Sequence, residues 1–167
     1  MTRLLTIGDP FLKQAMPPVS WPEPRLCDWI DQLAGVLRHY RQQTGYGRAI
    51  AAPQCGIDAR LIAMLQGDNV VALVNPTITW SSPETHLVWD DCLSVPEYIV
   101  QVARSVSISI TFQDRDGKSH CWDACDASLS ELLQHEMDHL DGILMTDRAV
   151  GEPLPISQRA EKIPLRS

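Results

Sequence analysis

Hydrophobic residues recur every three or four positions in two segments, and this spacing predicts two amphipathic helices. The first follows Pro24 and ends near Gly45, because glycine tolerates the left-handed backbone that commonly closes a helix. Its apolar positions are Leu26, Trp29, Ile30, Leu33, Val36, Leu37 and Tyr40. The second runs from Ser128 to Gly142, and the S-x-x-E spacing of Ser128 and Glu131 predicts a capping box at its start. Its apolar stripe is Leu129, Leu132, Leu133, Met137 and Leu140.

Shorter apolar runs predict strands. Residues 61–65 and 70–74 flank a Gly-Asp-Asn cluster, which is typical of a hairpin turn. Residues 105–112 alternate between apolar and polar side chains, which indicates an antiparallel strand with one solvent-facing side, and residues 114–117 predict the turn after it. The pattern therefore predicts an α+β fold in which antiparallel strands pack around the second helix, with the first amphipathic helix N-terminal to them.

Length and charge narrow the function classes. The chain of 167 residues is 44% hydrophobic, which predicts a single domain over residues 1–167, with residues 149–167 as a weakly structured C-terminal tail. The formal net charge is −7, and no two Lys or Arg residues are adjacent, so we expect no direct nucleic-acid partner and no membrane surface partner. No apolar stretch approaches the roughly 18 residues of a membrane-spanning helix.

Cysteine usage indicates the compartment. The five cysteines form an odd set without the spacing of a small disulfide-bonded domain. The first ten residues contain no apolar core typical of a signal peptide. We therefore expect a cytoplasmic protein with reduced cysteines.

The second predicted helix carries the sequence His135-Glu136-Met137-Asp138-His139. Residues four positions apart lie on one face of a helix, so His135 and His139 can bind one metal ion with Glu136 beside it. A catalytic metal site typically takes a third protein ligand, which spacing alone does not identify. Cys92 is one candidate, and a rival cluster consists of His120, Cys121 and Cys125.

Three segments follow one another along the chain: GRAIAAPQ at 47–54, DDCLS at 90–94 and QHEMDHL at 134–140. In this order they resemble the motifs of the peptide deformylase family. Residues 47–54, GRAIAAPQ, are similar to its G-x-G-x-A-A-x-Q motif, and residues 90–94, DDCLS, to its E-G-C-L-S motif. Residues 134–140, QHEMDHL, are similar to its Q-H-E-x-D-H-L motif. The resemblance extends from Thr6 to about Arg148.

The resemblance implies a metallo-hydrolase that removes the N-formyl group from N-formylmethionyl peptides, including nascent chains at the ribosome, and releases formate. It implies that Cys92, His135 and His139 bind one divalent metal, natively Fe²⁺, with Zn²⁺, Ni²⁺ or Co²⁺ as substitutes. Such an ion makes hydroxide available near neutral pH.

The resemblance also implies the catalytic roles. Glu136 would take a proton from water and deliver it to the departing amine. The side-chain amide of Gln54 and the backbone N–H of Leu93 would donate hydrogen bonds to the oxygen that becomes negative in the transition state. The implied substrate-binding residues are Gly47, Ala49 and Asp91.

Several residues depart from the family pattern. Ala49 replaces a glycine, and Arg48 stands where an aliphatic residue is common; we expect its guanidinium to point to solvent. Asp90 replaces a glutamate, and we expect it to pair with Arg104. Asp91 adds a charge where glycine is usual.

These departures keep other functions open. One alternative is an amidase of the same fold that acts on a different formylated or acylated small molecule. Another is a non-catalytic homologue that retains the metal. A general zinc peptidase would share the His-Glu-x-x-His pattern but would leave Cys92 and Gln54 without roles.

Overall fold

The computed structural model describes residues 3–164, and this part of the chain contains three α-helices and eight strands. The helices are α1 (Leu26–Thr44), α2 (Ala127–Leu140) and α3 (Arg159–Lys162). The strands are β1 (Ala49–Ala51), β2 (Leu61–Gln66), β3 (Asn69–Ser81), β4 (Thr85–Cys92), β5 (Val95–Ser105), β6 (Ile108–Gln113), β7 (Ser119–Trp122) and β8 (Leu154–Pro155). Four 3₁₀ turns cover Pro10–Lys13, Ala52–Cys55, Met145–Asp147 and Ile156–Gln158 within the same residues.

The strands form two antiparallel sheets, so the expected mixture of helices and antiparallel strands is present. One sheet has the order β1-β2-β3-β6-β7, and the other has the order β4-β5-β8. The hairpin expected from residues 61–65 and 70–74 is confirmed, since β2 pairs with β3 from Leu61 opposite Val74 to Gln66 opposite Asn69.

Strand β2 lies inside the larger sheet and is covered on both faces. Leu61 and Ala63 belong to the apolar cluster that contains the buried side chains of α1, whereas Ile62 and Met64 belong to the cluster that contains those of α2. A strand covered on both faces is apolar at every position, which explains why residues 61–65 do not alternate.

Helix α2 is also fixed to the smaller sheet. The Gln134 side chain donates to the Ser105 carbonyl at 2.9 Å and accepts from the Ser105 backbone N–H at 2.9 Å, at the end of β5. The hydroxyl of Ser130 donates to the same carbonyl at 3.1 Å. These contacts hold α2 between the two sheets.

Two local expectations differ from the structure. Residues 105–112 are not one strand: Ser105 ends β5, and β6 begins at Ile108, because the backbone at Ser105 is bound by α2. The capping box is wrong as well. Helix α2 begins after Asp126, whose carboxylate accepts from the Leu129 N–H at 2.8 Å, so Ser128 lies in the first turn and does not cap it.

The segment after residue 149, for which the sequence indicates little regular structure, folds back onto β5. Leu154 and Pro155 pair with Ile99 and Tyr98, and α3 follows. Arg159 on α3 is 9% exposed. No helix within residues 3–164 combines the length and the apolar character needed to cross a lipid bilayer.

Candidate metal centre and active site

Three buried side chains converge where β4 meets α2. His135 and His139 lie one turn apart on α2, with ring centroids 5.0 Å apart. Cys92, the last residue of β4, places its Sγ 3.2 Å from Nε2 of His139. One ligand atom from each of the three side chains lies within 4.8 Å of the others, and this is the one group of its kind among residues 3–164.

The rival cysteine and histidine cluster does not form. His120 instead hydrogen-bonds the Asp114 carboxylate at 2.6 Å, and the Cys121 thiol donates to Asp123 at 3.3 Å. Cys125 is buried in the core beside α2. These residues are explained by local hydrogen bonds and packing.

The pairing of β4 with β5 is irregular next to Cys92. The register between β4 and β5 shifts between Asp90 and Cys92, and Cys92 pairs with Val95 across the tight hairpin. Extra residues in one strand of a pair bend that strand and increase its twist. The extra residues lie on β5, where residues 96–99 stand opposite Asp91 alone, and Cys92 follows Asp91 directly.

A buried network of charges holds His135 in place. The Asp90 carboxylate lies 3.1 Å from Nδ1 of His135 and accepts from Arg104 at 2.6 Å, which confirms the expected pair of Asp90 and Arg104. Arg104 donates with its other branch to Asp138 at 2.6 Å. Burial raises the pKa of Asp90, but the charges of His135 and Arg104 outweigh it and lower that pKa to about 2. A carboxylate on Nδ1 leaves Nε2 of the histidine to face a metal.

Glu136 lies beside this centre without a full set of partners. It is 4% exposed, and no group among residues 3–164 hydrogen-bonds its Oε2. Burial raises its pKa to about 7. A carboxyl group with a pKa near neutrality can both accept and return a proton at physiological pH.

Gln54 presents its amide nitrogen to the same point. Its Oε1 accepts from the Ala51 N–H at 2.9 Å, which fixes the orientation of the side chain. Its Nε2 then donates to the Ser94 hydroxyl at 3.0 Å and approaches Sγ of Cys92 at 3.7 Å. The 3₁₀ turn at Ala52–Cys55, which follows β1, positions this side chain.

One cavity connects most of the site residues expected from the sequence. Its walls include Gly47, Ala49, Gln54, Asp91, Leu93, His135 and Glu136. The side chains of Cys92 and His139 are 3% and 1% exposed, and they lie behind these walls. The structure thus brings the site residues expected from the sequence together around one cavity.

Two residues on the same cavity were assigned to other roles by the sequence. Arg48 was expected to point to solvent, but its side chain is 25% exposed and lines the cavity; one branch donates to the Ser128 hydroxyl at 3.0 Å. Its other branch lies 3.5 Å from the carboxylate of Glu131. Glu131 also lines the cavity and takes no part in capping α2.

The C-terminal segment completes the mouth of the cavity. Arg159 donates to the Asp91 carboxylate at 2.9 Å, and its guanidinium stacks 3.6 Å from the ring centre of Tyr46. Ile163 and Pro164 line the cavity as well. No motif in the sequence indicates this arrangement, because it depends on the pairing of β8 with β5.

Known proteins are similar to this chain in sequence and in fold. A sequence model described as polypeptide deformylase matches residues 1–153. A peptide deformylase of Thermotoga petrophila is 34% identical over 148 residues, covering 89% of this chain and 87% of the relative. One from Treponema pallidum is 37% identical over 142 residues, covering 85% of this chain and 84% of the relative.

Solved structures agree with the sequence relatives. The crystal structure of peptide deformylase from Thermotoga maritima superposes with a TM-score of 0.81 at 34% identity, covering 90% of this chain and 99% of that one. A peptide deformylase from Synechococcus elongatus in complex with actinonin has a TM-score of 0.81 at 30% identity, covering 90% of this chain and 80% of that one.

Proposed function

The chain belongs to the polypeptide deformylase family, and from this premise we propose how its own residues perform the reaction. It is a metallo-hydrolase that removes N-formyl groups from peptides. The observation that carries the assignment of roles is the convergence of Cys92, His135 and His139 with Glu136 and Gln54 at one cavity.

The donor set fits a divalent transition-metal ion. Cys92, His135 and His139 supply one sulfur and two imidazole nitrogens, all buried, and Asp90 orients His135 from behind. Three protein ligands leave a position for water or substrate. We propose Fe²⁺ as the native ion, with Zn²⁺, Ni²⁺ or Co²⁺ as substitutes. When bound, the ion supplies Lewis acidity that favours hydroxide near neutral pH.

Glu136 handles the proton. Its buried carboxyl group, with a pKa of about 7, accepts the proton of the attacking water and donates it to the nitrogen of the departing amine. Its burial and its Oε2, which no group among residues 3–164 hydrogen-bonds, favour both transfers. Water adds to the formyl carbon, the C–N bond breaks, and formate and a free amine leave.

Gln54 and Leu93 stabilise the developing charge. As the formyl carbon becomes tetrahedral, its oxygen gains negative charge, and the Gln54 amide and the Leu93 backbone N–H donate to it. Gln54 suits this role because the Ala51 N–H already fixes the carbonyl end of its amide. Gly47, Ala49 and Asp91 line the same cavity and contact the peptide.

The cellular setting follows from this chemistry. We propose that the chain is a single catalytic domain that acts on formylated peptides in the cytoplasm, including nascent chains at the ribosome. A reducing compartment protects a thiolate ligand from oxidation, and the net charge of −7 disfavours binding to nucleic acid or to an anionic membrane.

Formate release tests the assignment of Glu136. Enzyme purified without oxygen and assayed on N-formyl-Met-Ala-Ser releases formate, and Glu136→Gln lowers kcat by about 100-fold or more while metal content stays unchanged. The matched control is Glu84→Gln, because Glu84 is exposed in the β3–β4 turn and leaves the rate as it was. A Glu136→Gln enzyme with full metal and normal turnover would refute the role.

The metal ligands are tested separately. Cys92→Ser exchanges the thiolate for a weak hydroxyl ligand, and we expect elemental analysis to show loss of bound metal, with the loss of turnover following from it. Cys27→Ser is the matched control, since Cys27 is exposed and lies on α1. Full metal retention in Cys92→Ser would remove Cys92 from the ligand set.

A further inference from the structure

The active-site cavity continues along α2 towards an ion pair. Glu131 precedes His135 by four residues, so both side chains lie on the same face of the helix, one turn of about 5.4 Å apart. Leu132 lies on the cavity wall near them, and Arg48 faces Glu131 from the start of β1. The reacting centre and the ion pair are thus two ends of one space.

The substrate side chain that reaches this end is the one next to the formyl group. Its Cβ is only three bonds from the formyl carbon, and a side chain of four or five atoms spans about one helical turn. With the formyl carbon beside Glu136, such a side chain extends towards Arg48 and Glu131.

The ion pair makes this end of the cavity polar and partly dry. The side chain of Glu131 is 11% exposed and that of Arg48 is 25% exposed. Arg48 also donates to the hydroxyl of Ser128 at 3.0 Å and to its carbonyl at 3.3 Å, which fixes the guanidinium on α2. An apolar side chain that enters here removes water from both charges and offers no hydrogen bond in exchange.

We propose that the pair of Arg48 and Glu131 selects N-formyl peptides whose first side chain is neutral and ends in a carboxamide, such as glutamine. The amide oxygen accepts from the guanidinium, and the amide NH₂ donates to the carboxylate, so one neutral group hydrogen-bonds to both members of the pair. A charged side chain is attracted by one member of the pair and repelled by the other, so it gains less than a carboxamide that hydrogen-bonds to both. The inference rests on the deformylase activity proposed above and names the substrate class for it.

The decisive measurement is a ratio of specificity constants. We expect kcat/KM for N-formyl-Gln-Ala-Ser to equal or exceed that for N-formyl-Met-Ala-Ser, and the double variant Arg48→Met with Glu131→Leu to lower this ratio at least tenfold, mainly through KM. The matched control is Arg38→Met with Glu84→Leu, because both residues are exposed and neither lines the cavity. The control leaves the ratio unchanged.

Two single variants test the same selectivity in case the double variant does not fold. Glu131→Gln leaves the positive charge of Arg48, so N-formyl-Glu-Ala-Ser gains about tenfold relative to the Met peptide. Arg48→Gln leaves the carboxylate, so N-formyl-Lys-Ala-Ser gains instead.

The outcomes separate the two proposals. A more than tenfold preference of the natural chain for the Met peptide, together with variants that do not move the ratio, overturns the specificity inference and leaves the deformylase intact. If no formyl peptide releases formate from the metal-loaded enzyme, the proposed function fails first.

Discussion

Arg104 offers a quantitative test of the charged network behind the metal centre. Its side chain is 3% exposed and donates to two carboxylates, those of Asp90 and Asp138, each at 2.6 Å. Arg104→Met replaces the side chain by a shorter, unbranched apolar one and removes both bonds. Asp138 then retains Arg148, whereas Asp90 retains His135 as its partner among the residues that the structure describes.

The expected loss follows from burial. Removing one member of a buried ion pair costs about 3–5 kcal/mol, since the charge left behind is buried and has lost an opposite charge. We expect Arg104→Met to lower the free energy of unfolding by this amount. Arg148→Met removes a second bond to Asp138, but the Arg148 side chain is 45% exposed, so we expect a loss of at most about 1 kcal/mol.

Urea unfolding of the metal-free proteins at pH 7, followed by circular dichroism, measures both losses. Arg104→Lys keeps the charge without the planar fork that reaches two carboxylates, so its stability lies between the natural protein and Arg104→Met. If Arg104→Met and Arg148→Met lower the free energy of unfolding by amounts that agree within about 1 kcal/mol, the buried network contributes no more than a surface ion pair. That result would refute the reasoning.

Two further predictions concern the backbone and the cysteines. Gly142 has a φ of 74°, and a Cβ there would lie 2.6 Å from the Lys13 carbonyl oxygen, whereas Gly67 has a φ of 61° with nothing within 4 Å. Gly142→Ala therefore lowers Tm more than Gly67→Ala, which carries only the conformational cost of about 1–2 kcal/mol; equal decreases would contradict the close contact. Burial raises the pKa of the Cys55 thiol to about 12, and Cys27 is exposed. Iodoacetamide at pH 8 therefore modifies Cys27 at least tenfold faster in mass-spectrometric mapping, and similar rates would disprove the protection of Cys55.

The part of the site that depends on local structure could be predicted from the sequence. The spacing of His135 and His139 already places both on one helical face, because helix geometry depends on nearest neighbours along the chain. Cys92 needed the family resemblance, since its approach to α2 depends on an irregular pairing of β4 with β5 and on tertiary packing. Gln54 likewise depends on a turn that no periodicity indicates.

The errors arise where local and tertiary interactions compete. Ser128 and Glu131 match a capping pattern, but Asp126 caps the helix, and tertiary contacts with Arg48 then engage both residues. An arginine such as Arg48 can face solvent or line a polar cavity. The residue type alone therefore does not predict which of the two positions it takes. The position of Arg48 depends on Glu131, which lies far from it in the sequence.

Strand β2 is covered on both faces, and we therefore expect it to be among the last parts of the protein to unfold. The amides of Ala63 and its neighbours sit in an interior strand with helices on both faces, so they exchange with deuterium only when the whole molecule unfolds. The tail is attached to β5 by a two-residue strand, so it exchanges through local opening at much lower free energy. Fluctuations of the tail therefore widen the cavity mouth while the sheet that supports α2 and its ligands stays closed.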